Sequence, residues 1–463
     1  MIAPDSRPTA PSRSGVEVRR SDVAGPFSGP RQVALACGLL ALVVFSVGIG
    51  RAYGHDASHT VGLFIATPSL AAALWRQDAF NNHVLFSVID HAVYGLTHSR
   101  REWTLRVLPI TLGAAVVALL AGEVARQTTR LAGFLAGIVL CGNSLVLREF
   151  REVRGYSLAT LGVLSASILL SRAVSVHRST DRDDPTRARL KVGYVVALGV
   201  ALATHLGTAV VIPMHALVVH RHRLPWRRWS RYWAVAIVLA LPFQVTGLLQ
   251  TVRRGPARQF DLRFPANFLS KMLGGPASAV PIAIALALGV VAVGDKGLLA
   301  KSAVWLAAAV GALWLLGPFG LGPRYFVWVA PGVAALVALG AHAHPRLAPI
   351  IVAGVALQLA FSLPRFAHDD IADRSAAQAI ASSPAGGTVC AIGDTAWSLV
   401  GYTSAFVTVN DVSGVGRCDV VVSTNESRHD RLLAASACAL LPYRKQLPAT
   451  NPGVACSAQP FRS

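Results

Sequence analysis

The residues best suited to chemistry lie in short polar stretches between long apolar runs. The first reads Tyr53-Gly54-His55-Asp56-Ala57-Ser58-His59. A carboxylate beside two imidazoles suits general-base work. It equally suits a turn, where Asp beside Gly is common. The next stretch, Asn81-Asn82-His83-Val84-Leu85, opens an amphipathic helix. Capping of the helix end explains one Asn, but not the imidazole behind it. Glu102 to Pro109 follows and carries Arg106. An Arg there either snorkels to a membrane surface or holds a phosphate.

The densest stretch is Arg148-Glu149-Phe150-Arg151-Glu152-Val153-Arg154-Gly155-Tyr156. So many charges between apolar segments are costly unless they are paired or used. The planar fork of Arg suits phosphate, and mutual neutralisation by the Glu residues is the competing reading. Thr204-His205-Leu206-Gly207 and Gly322-Pro323-Arg324-Tyr325-Phe326 each add one polar group at a turn or helix start. A longer stretch holds Arg253, Arg254, Arg258, Arg263 and Lys271 around Phe260-Asp261-Leu262. It is long enough to close over a site as a lid.

The elements that must position these residues are membrane spans. The chain has 463 residues, of which 14% are charged and 53% hydrophobic. Soluble proteins average roughly 25% charged. Mean hydropathy is +0.50. Clustered apolar runs exclude an ordinary soluble enzyme and a disordered chain. The expected fold class is an all-α polytopic membrane protein. Runs long enough for a ~30 Å hydrocarbon core fall at 33–50, 105–125, 131–148, 155–174, 232–250, 276–294, 300–318, 324–342 and 347–363. The stretch 192–220 reads as two short helices meeting at a tight turn near His205. That gives about eleven transmembrane helices by the length criterion. Within 51–104, the shorter runs 60–75 and 83–97 contain Pro68, His83, Asp90 and His91. Both read as helices on the outer membrane surface.

The net charge of +20 is explained by topology rather than by nucleic acid, for which no binding fold is visible. A cytoplasmic N-terminus places most loop Lys and Arg inside, notably in 172–191 and 221–231. The outside loops keep enough Arg to require a reason of their own. An anionic ligand from the outer leaflet, a lipid phosphate or diphosphate, supplies one.

Residues 1–30 read as a disordered cytoplasmic tail, and 31–363 as the membrane domain with 51–104 as its first outside loop. After Pro364 the chain turns polar. A helix-like 370–382 and strand-like Thr388–Ile392 and Asp419–Val422 point to a small C-terminal α/β domain, 364–463, on the outside. Cys390, Cys418, Cys438 and Cys456 fall in it. An even count in an oxidising compartment suggests one or two disulfides of open connectivity. Cys37 and Cys141 lie in spans as packing residues. No P-loop, dinucleotide fingerprint or zincin motif is present.

These residues together resemble the GT-C superfamily of integral-membrane glycosyltransferases. Within it the pattern resembles the branch of protein O-mannosyltransferases, aminoarabinose lipid A transferases and rhizobial lipopolysaccharide-core galacturonosyltransferases. The resemblance covers about 33–363. It rests on Asp56 just after the first span, the Asn81-Asn82-His83-Val84-Leu85 helix and Arg106 with Pro109. Arg154-Gly155-Tyr156, Thr204-His205 and Arg324-Tyr325 complete it.

The resemblance implies a polyprenyl-phosphate sugar donor used on the outer face of a bacterial cytoplasmic membrane. The acceptor would be a lipid, cell-envelope glycan or protein, reached by an inverting displacement. Asp56 would be the base, with His55 beside it. Arg154 and Arg324 would hold the phosphate, with Arg106 and Arg151 as further cations. Asn82, His83, Tyr156, His205 and Tyr325 would line the pocket. Many relatives have Asp-Glu where this chain has Asp56-Ala57. A second carboxylate must then come from elsewhere or be absent; Glu152 or Glu149 is the candidate, with Glu152 taken as the catalytic one. A divalent metal is compatible with this chemistry, yet no ligand cluster has the spacing to hold one. Alternative readings are a transporter or flippase of lipid-linked sugars, a polymerase or ligase, and a non-catalytic relative. Few charges within the spans count against transport.

Overall fold

The computed structural model describes residues 29–76, 83–178, 186–254, 270–275, 278–292 and 323–367. In the C-terminal region it describes 389–392, 402, 407–409, 420–423, 445–446 and 454–457. The protein is mostly helical. Among the described residues, five helices are long and apolar enough to cross a membrane: Glu102–Gln127, Tyr156–His177, Trp226–Leu249, Arg324–Ala343 and Leu347–Ala367. Shorter apolar helices accompany them. Leu35, Val43, Val238 and Phe361 are exposed, as expected of helices whose outer faces meet lipid rather than water.

Helix α1 (Pro30–Ser46) starts with Pro in its first turn, where a missing N–H is harmless. It packs along α5 (Glu102–Gln127), and α6 (Arg130–Gly142) packs against both. Between α1 and α5 lie the short helices of the first loop. These are α2 (His55–Thr60) with a π turn Val61–Ile65, α3 (Leu70–Trp75) and α4 (Val84–Thr97). Fourteen residues make α4 about 21 Å long, too short for a hydrocarbon core of ~30 Å. His98, in the left-handed conformation, ends it.

The expected span 131–148 is instead two helices. Asn143 separates α6 from α7 (Ser144–Glu149), and its Oδ1 accepts from the amides of Leu145 and Val146 at 3.0 and 3.1 Å. Its Nδ2 donates to the carbonyls of Lys271 and Met272 at 3.2 and 2.9 Å. The amide side chain thus replaces the backbone bonds that the break removes.

Helix α8 (Tyr156–Arg178) runs back against α9 (Thr186–Thr204). A turn at His205 and a 3-10 segment, Leu206–Val210, lead to α10 (Val211–Arg221). Helix α11 (Trp226–Arg254) continues through Pro242. Gln244 on α11 donates to the end carbonyls of α9, Leu202 and Ala203, both at 2.9 Å. Buried Glu123 near the end of α5 accepts from Gln127 at 2.7 Å and Arg172 of α8 at 2.8 Å. The helices Ala279–Ala292 and Ala330–Ala343 cross so closely at Gly289 and Gly340 that a side chain on either would strike the other backbone. Small residues permit this approach in membrane helices. Segment 324–342 enters through a 3-10 turn, Pro323–Val329.

The C-terminal strands are β1 (Val389–Ile392), β2 (Val407–Val409), β3 (Val420–Ser423), β4 (Lys445–Gln446) and β5 (Val454–Ser457). They form one sheet in the order β2-β1-β3-β5-β4. β1 is parallel to β2 and β3, while β5 is antiparallel to β3 and β4. Cys390 is buried and disulfide-bonded. The tail 1–28, the helix-like 370–382 and the span 300–318 lie outside the described residues.

Candidate functional site

The site is assembled where α1 ends and the first loop begins. Arg106, on α5, is 1% exposed. Its guanidinium donates to the carbonyls of Ile49 and Ala52 at 3.0 Å each, and to that of Arg51. It also lies 5.4 Å from the centre of the Tyr53 ring. Arg106 therefore fixes the backbone that feeds α2. The Tyr53 hydroxyl donates to the carbonyl of Arg100 at 2.8 Å, closing the loop on itself.

Helix α2 then presents Asp56 in its first turn. Arg154 Nη1 donates to Asp56 Oδ2 at 2.8 Å, and Arg324 Nη1 donates to the same oxygen. Two cations from separate parts of the chain thus converge on one carboxylate. The Asp56 side chain is 41% exposed while that of Arg154 is 10% exposed. The carboxylate faces outward from a buried Arg154 and a partly exposed Arg324.

Four rings pack beside this pair of cations. His83 and Tyr156 meet edge to face at 4.5 Å between ring centres. His205 lies 5.0 Å from His83, 5.9 Å from Tyr156 and 5.6 Å from Tyr325. Arg154 sits 5.3 Å from the Tyr156 ring, and Arg324 sits 5.4 Å from Tyr325. Gly155 makes this packing feasible. A Cβ there would come within 2.6 Å of Thr204 Cγ2 and 3.0 Å of His83 Nδ1.

Burial, with Arg154 next in effect, holds His83 well below the usual imidazole range and pushes His205 down to about 3. Both rings are neutral at pH 7. His205 Nδ1 accepts from the Gly207 amide at 3.0 Å, so its proton sits on Nε2. That buried donor and the Tyr156 hydroxyl have no hydrogen-bond partner among the described residues. Orphaned buried polar groups cost about 1–3 kcal/mol each. Their presence marks a place for a polar ligand or water.

The second loop contributes two carboxylates with different environments. Glu152 accepts from Arg51 Nη2 at 2.6 Å. Glu149 is 4% exposed and pairs with Arg148 only at 3.6 Å. Burial pushes Glu149 up to about 7, with Arg148, Arg154 and Arg324 opposing the rise. Arg151 is 3% exposed and lies over the Phe366 ring at 4.9 Å, with Arg51 on the same ring at 5.5 Å. Burial and the neighbouring Arg51 and Arg106 lower Arg151 to about 10.

Of the residues singled out in the sequence, the structure brings together Asp56, His83, Arg154, Tyr156, His205, Arg324 and Tyr325. Arg106 is engaged with backbone carbonyls, Arg151 with Phe366, and Glu152 with Arg51. Asn82 and the His55 side chain lie outside the described residues, as does most of the lid-like stretch.

No local feature of the sequence points to Tyr402. Its hydroxyl accepts from the Tyr53 amide at 2.7 Å and donates to Glu102 Oε1 at 3.1 Å. The two Tyr rings lie 5.2 Å apart. No spacing argument connects positions 349 residues apart. Among the described residues, no group of three or more His, Cys, Asp and Glu side chains is placed to hold a metal.

No family model matches the sequence, and no curated protein matches it. Solved structures do match its fold. ArnT from Cupriavidus metallidurans, crystallised with undecaprenyl phosphate, superposes with a TM-score of 0.66 at 13% identity, covering 92% of this chain and 98% of that one. The archaeal oligosaccharyltransferase AglB from Archaeoglobus fulgidus, in complex with an inhibitory peptide and a dolichol-phosphate, gives 0.56 at 10% identity, covering 84% and 69%. The mycobacterial arabinofuranosyltransferase AftD gives 0.52 at 15%, covering 90% of this chain and 37% of the larger enzyme. The chain shares its fold with these solved membrane proteins.

Proposed function

We propose that the protein is an integral-membrane glycosyltransferase that moves a sugar from a polyprenyl-phosphate donor to an extracytoplasmic acceptor. The observation that carries this reading is the convergence of Arg154 and Arg324 on Asp56. The fold shared with proteins solved in complex with undecaprenyl phosphate and a dolichol-phosphate supports the choice of donor.

The arrangement works by exchange of partners. With no donor bound, the two guanidinium groups neutralise Asp56. A phosphate monoester or diester competes for the same forks, and bidentate Arg–phosphate bonds are among the strongest available. Once the Arg residues turn to phosphate, Asp56 is released to take the proton of an acceptor hydroxyl. The hydroxyl oxygen attacks the anomeric carbon from the face opposite the phosphate. The C–O bond to phosphate breaks, and its electron pair leaves on the phosphate oxygen. Negative charge grows there in the transition state, beside Arg154 and Arg324. Neutral His83 and His205, with Tyr156, line the sugar pocket and donate to its hydroxyls without adding charge.

On this reading the membrane is a bacterial cytoplasmic membrane, and the site and the C-terminal sheet lie on its outer face. The acceptor is a lipid, a cell-envelope glycan or a protein. Glu149 is the second carboxylate of the site, in preference to Glu152, which Arg51 already pairs. Arg106 and Arg51 position the first loop.

The test is release of sugar from a panel of labelled polyprenyl-phosphate sugars by purified protein, wild type beside Asp56→Asn. Turnover by wild type only, with lipid binding kept in both, supports the proposal. Binding without turnover for every donor and acceptor tried would overturn it in favour of transport or a non-catalytic role.

A further inference from the structure

Helices α8, α9 and α11 enclose a cavity of about 400 Å³ at their far ends. Lys191 of α9, Arg228 of α11 and His177 of α8 line it, with Trp229, Tyr232 and Leu224. Its position relative to the candidate site follows from α8 alone. Tyr156 begins that helix in the ring cluster, and His177 lies 21 positions later. At 1.5 Å per residue the cavity is therefore about 30 Å from Tyr156, the thickness of a hydrocarbon core. The candidate spans Tyr156–His177 and Trp226–Leu249 end and begin at this level. The cavity is thus at the opposite membrane boundary from the candidate site.

Its chemistry is one-sided. Among the described residues, no acidic side chain lines it. Lys191 and Arg228 form no ion pair among the described residues. By contrast, Arg172 on the same end of α8 is neutralised by Glu123. Trp229 is 4% exposed and Leu224 6%, giving the cavity an apolar wall beneath its cationic rim. Exposed Trp226 stands next to it, in the manner of aromatic side chains at a membrane–water interface.

We propose that this cavity binds the phosphate headgroup of an anionic lipid from the leaflet opposite the candidate site. Arg228 and Lys191 hold the phosphate oxygens, and Trp229 and Leu224 contact the glycerol and upper acyl carbons. Charge attraction to an anionic leaflet acts on every basic residue near its surface and does not by itself select a headgroup. A walled cavity adds selection of one headgroup.

The test uses full-length protein in phosphatidylcholine nanodiscs, with phosphatidylglycerol or inorganic phosphate added. Retained lipid is counted by native mass spectrometry, and thermal stability is followed in parallel. Wild type should retain phosphatidylglycerol, and Lys191→Gln/Arg228→Gln should retain it about tenfold more weakly, as expected for loss of about 1.4 kcal/mol. Both substitutions are at the cavity rim, outside the packed core. The control Arg221→Gln/Arg231→Gln removes the same charge from exposed positions that do not line the cavity, and should weaken retention far less than the cavity variant does. Stabilisation by inorganic phosphate that the cavity variant alone loses would support the phosphate site and assign its source to a soluble anion. Equal loss in both double variants would overturn the proposal and leave only diffuse surface charge. Equal retention in wild type and the cavity variant would overturn it as well.

Discussion

Asp56 and Arg154 stand 98 positions apart in the chain, yet Arg154 Nη1 lies 2.8 Å from Asp56 Oδ2. Arg324 reaches the same oxygen from 268 positions away. A carboxylate that two guanidinium groups share in this way is poised to lose them to a better anion.

That exchange predicts a split between binding and turnover. Asp56→Asn should lower sugar transfer by about 10²–10⁴-fold, the range for loss of a general base. Affinity for polyprenyl phosphate should hold or tighten, because Arg154 and Arg324 no longer compete with a charged internal partner. Arg154→Gln should weaken lipid phosphate binding instead. Equal loss of binding in both variants would remove the exchange mechanism.

Glu149 predicts a pH dependence. Its carboxyl is pushed up to about 7 by burial. Below that pH it is neutral, and the cations beside Asp56 keep a net positive charge for phosphate. As pH rises through about 7 it ionises and competes for them. Donor affinity should therefore fall from pH 6 to pH 8, and Glu149→Gln should flatten the profile. Stability follows the same sign. The folded state holds a proton that the unfolded state releases near 4.5, so stability declines between about 4.5 and 7. The full loss is on the order of 3 kcal/mol. Thermal unfolding of wild type and Glu149→Gln across pH 4–8 measures it.

Arg106 predicts a positioning effect. Three loop carbonyls accept from its buried guanidinium, and hydrogen bonds to charged groups contribute about 1.5–3 kcal/mol each. Arg106→Gln should lower the melting temperature and expose the first loop to protease. Lys should rescue little, because one ammonium cannot reach carbonyls on three residues with a planar fork. Normal stability with weakened phosphate affinity would assign Arg106 to the ligand instead.

Tyr402 predicts coupling between the C-terminal region and the first loop. Tyr402→Phe removes the bonds to the Tyr53 amide and Glu102 and should cost about 1–3 kcal/mol, because it leaves a buried donor unmet. Hydrogen exchange should rise at Tyr53 and its neighbours. Unchanged exchange there would show that the contact does not hold the loop.

Several site residues were legible in the sequence because charge beside apolar runs is costly enough to need a reason. Asp56, Arg154 and Arg324 were each visible as such anomalies. The turn at His205 was visible as a polar break in a run too long for one helix. The break at Asn143 was missed, since one Asn in an apolar run carries no period of its own. Glu152 rather than Glu149 is the second carboxylate expected from the sequence, with nothing local to separate them. The fold separates them, leaving buried Glu149 with Arg148 at 3.6 Å and giving Glu152 Arg51 at 2.6 Å.

By itself, the amino-acid sequence determined the class of the molecule. Apolar runs of this length can satisfy their backbone groups in lipid only as helices. It also determined which residues are too polar to be there without cause. Only the tertiary structure decided which cations meet which carboxylate. Arg106 and Arg154 are alike in type and in nearness to a helix end. One is surrounded by carbonyls of a chain reversal, and the other faces Asp56 across the fold. Partners that lie hundreds of positions away are set by helix packing, and no local pattern encodes that distance.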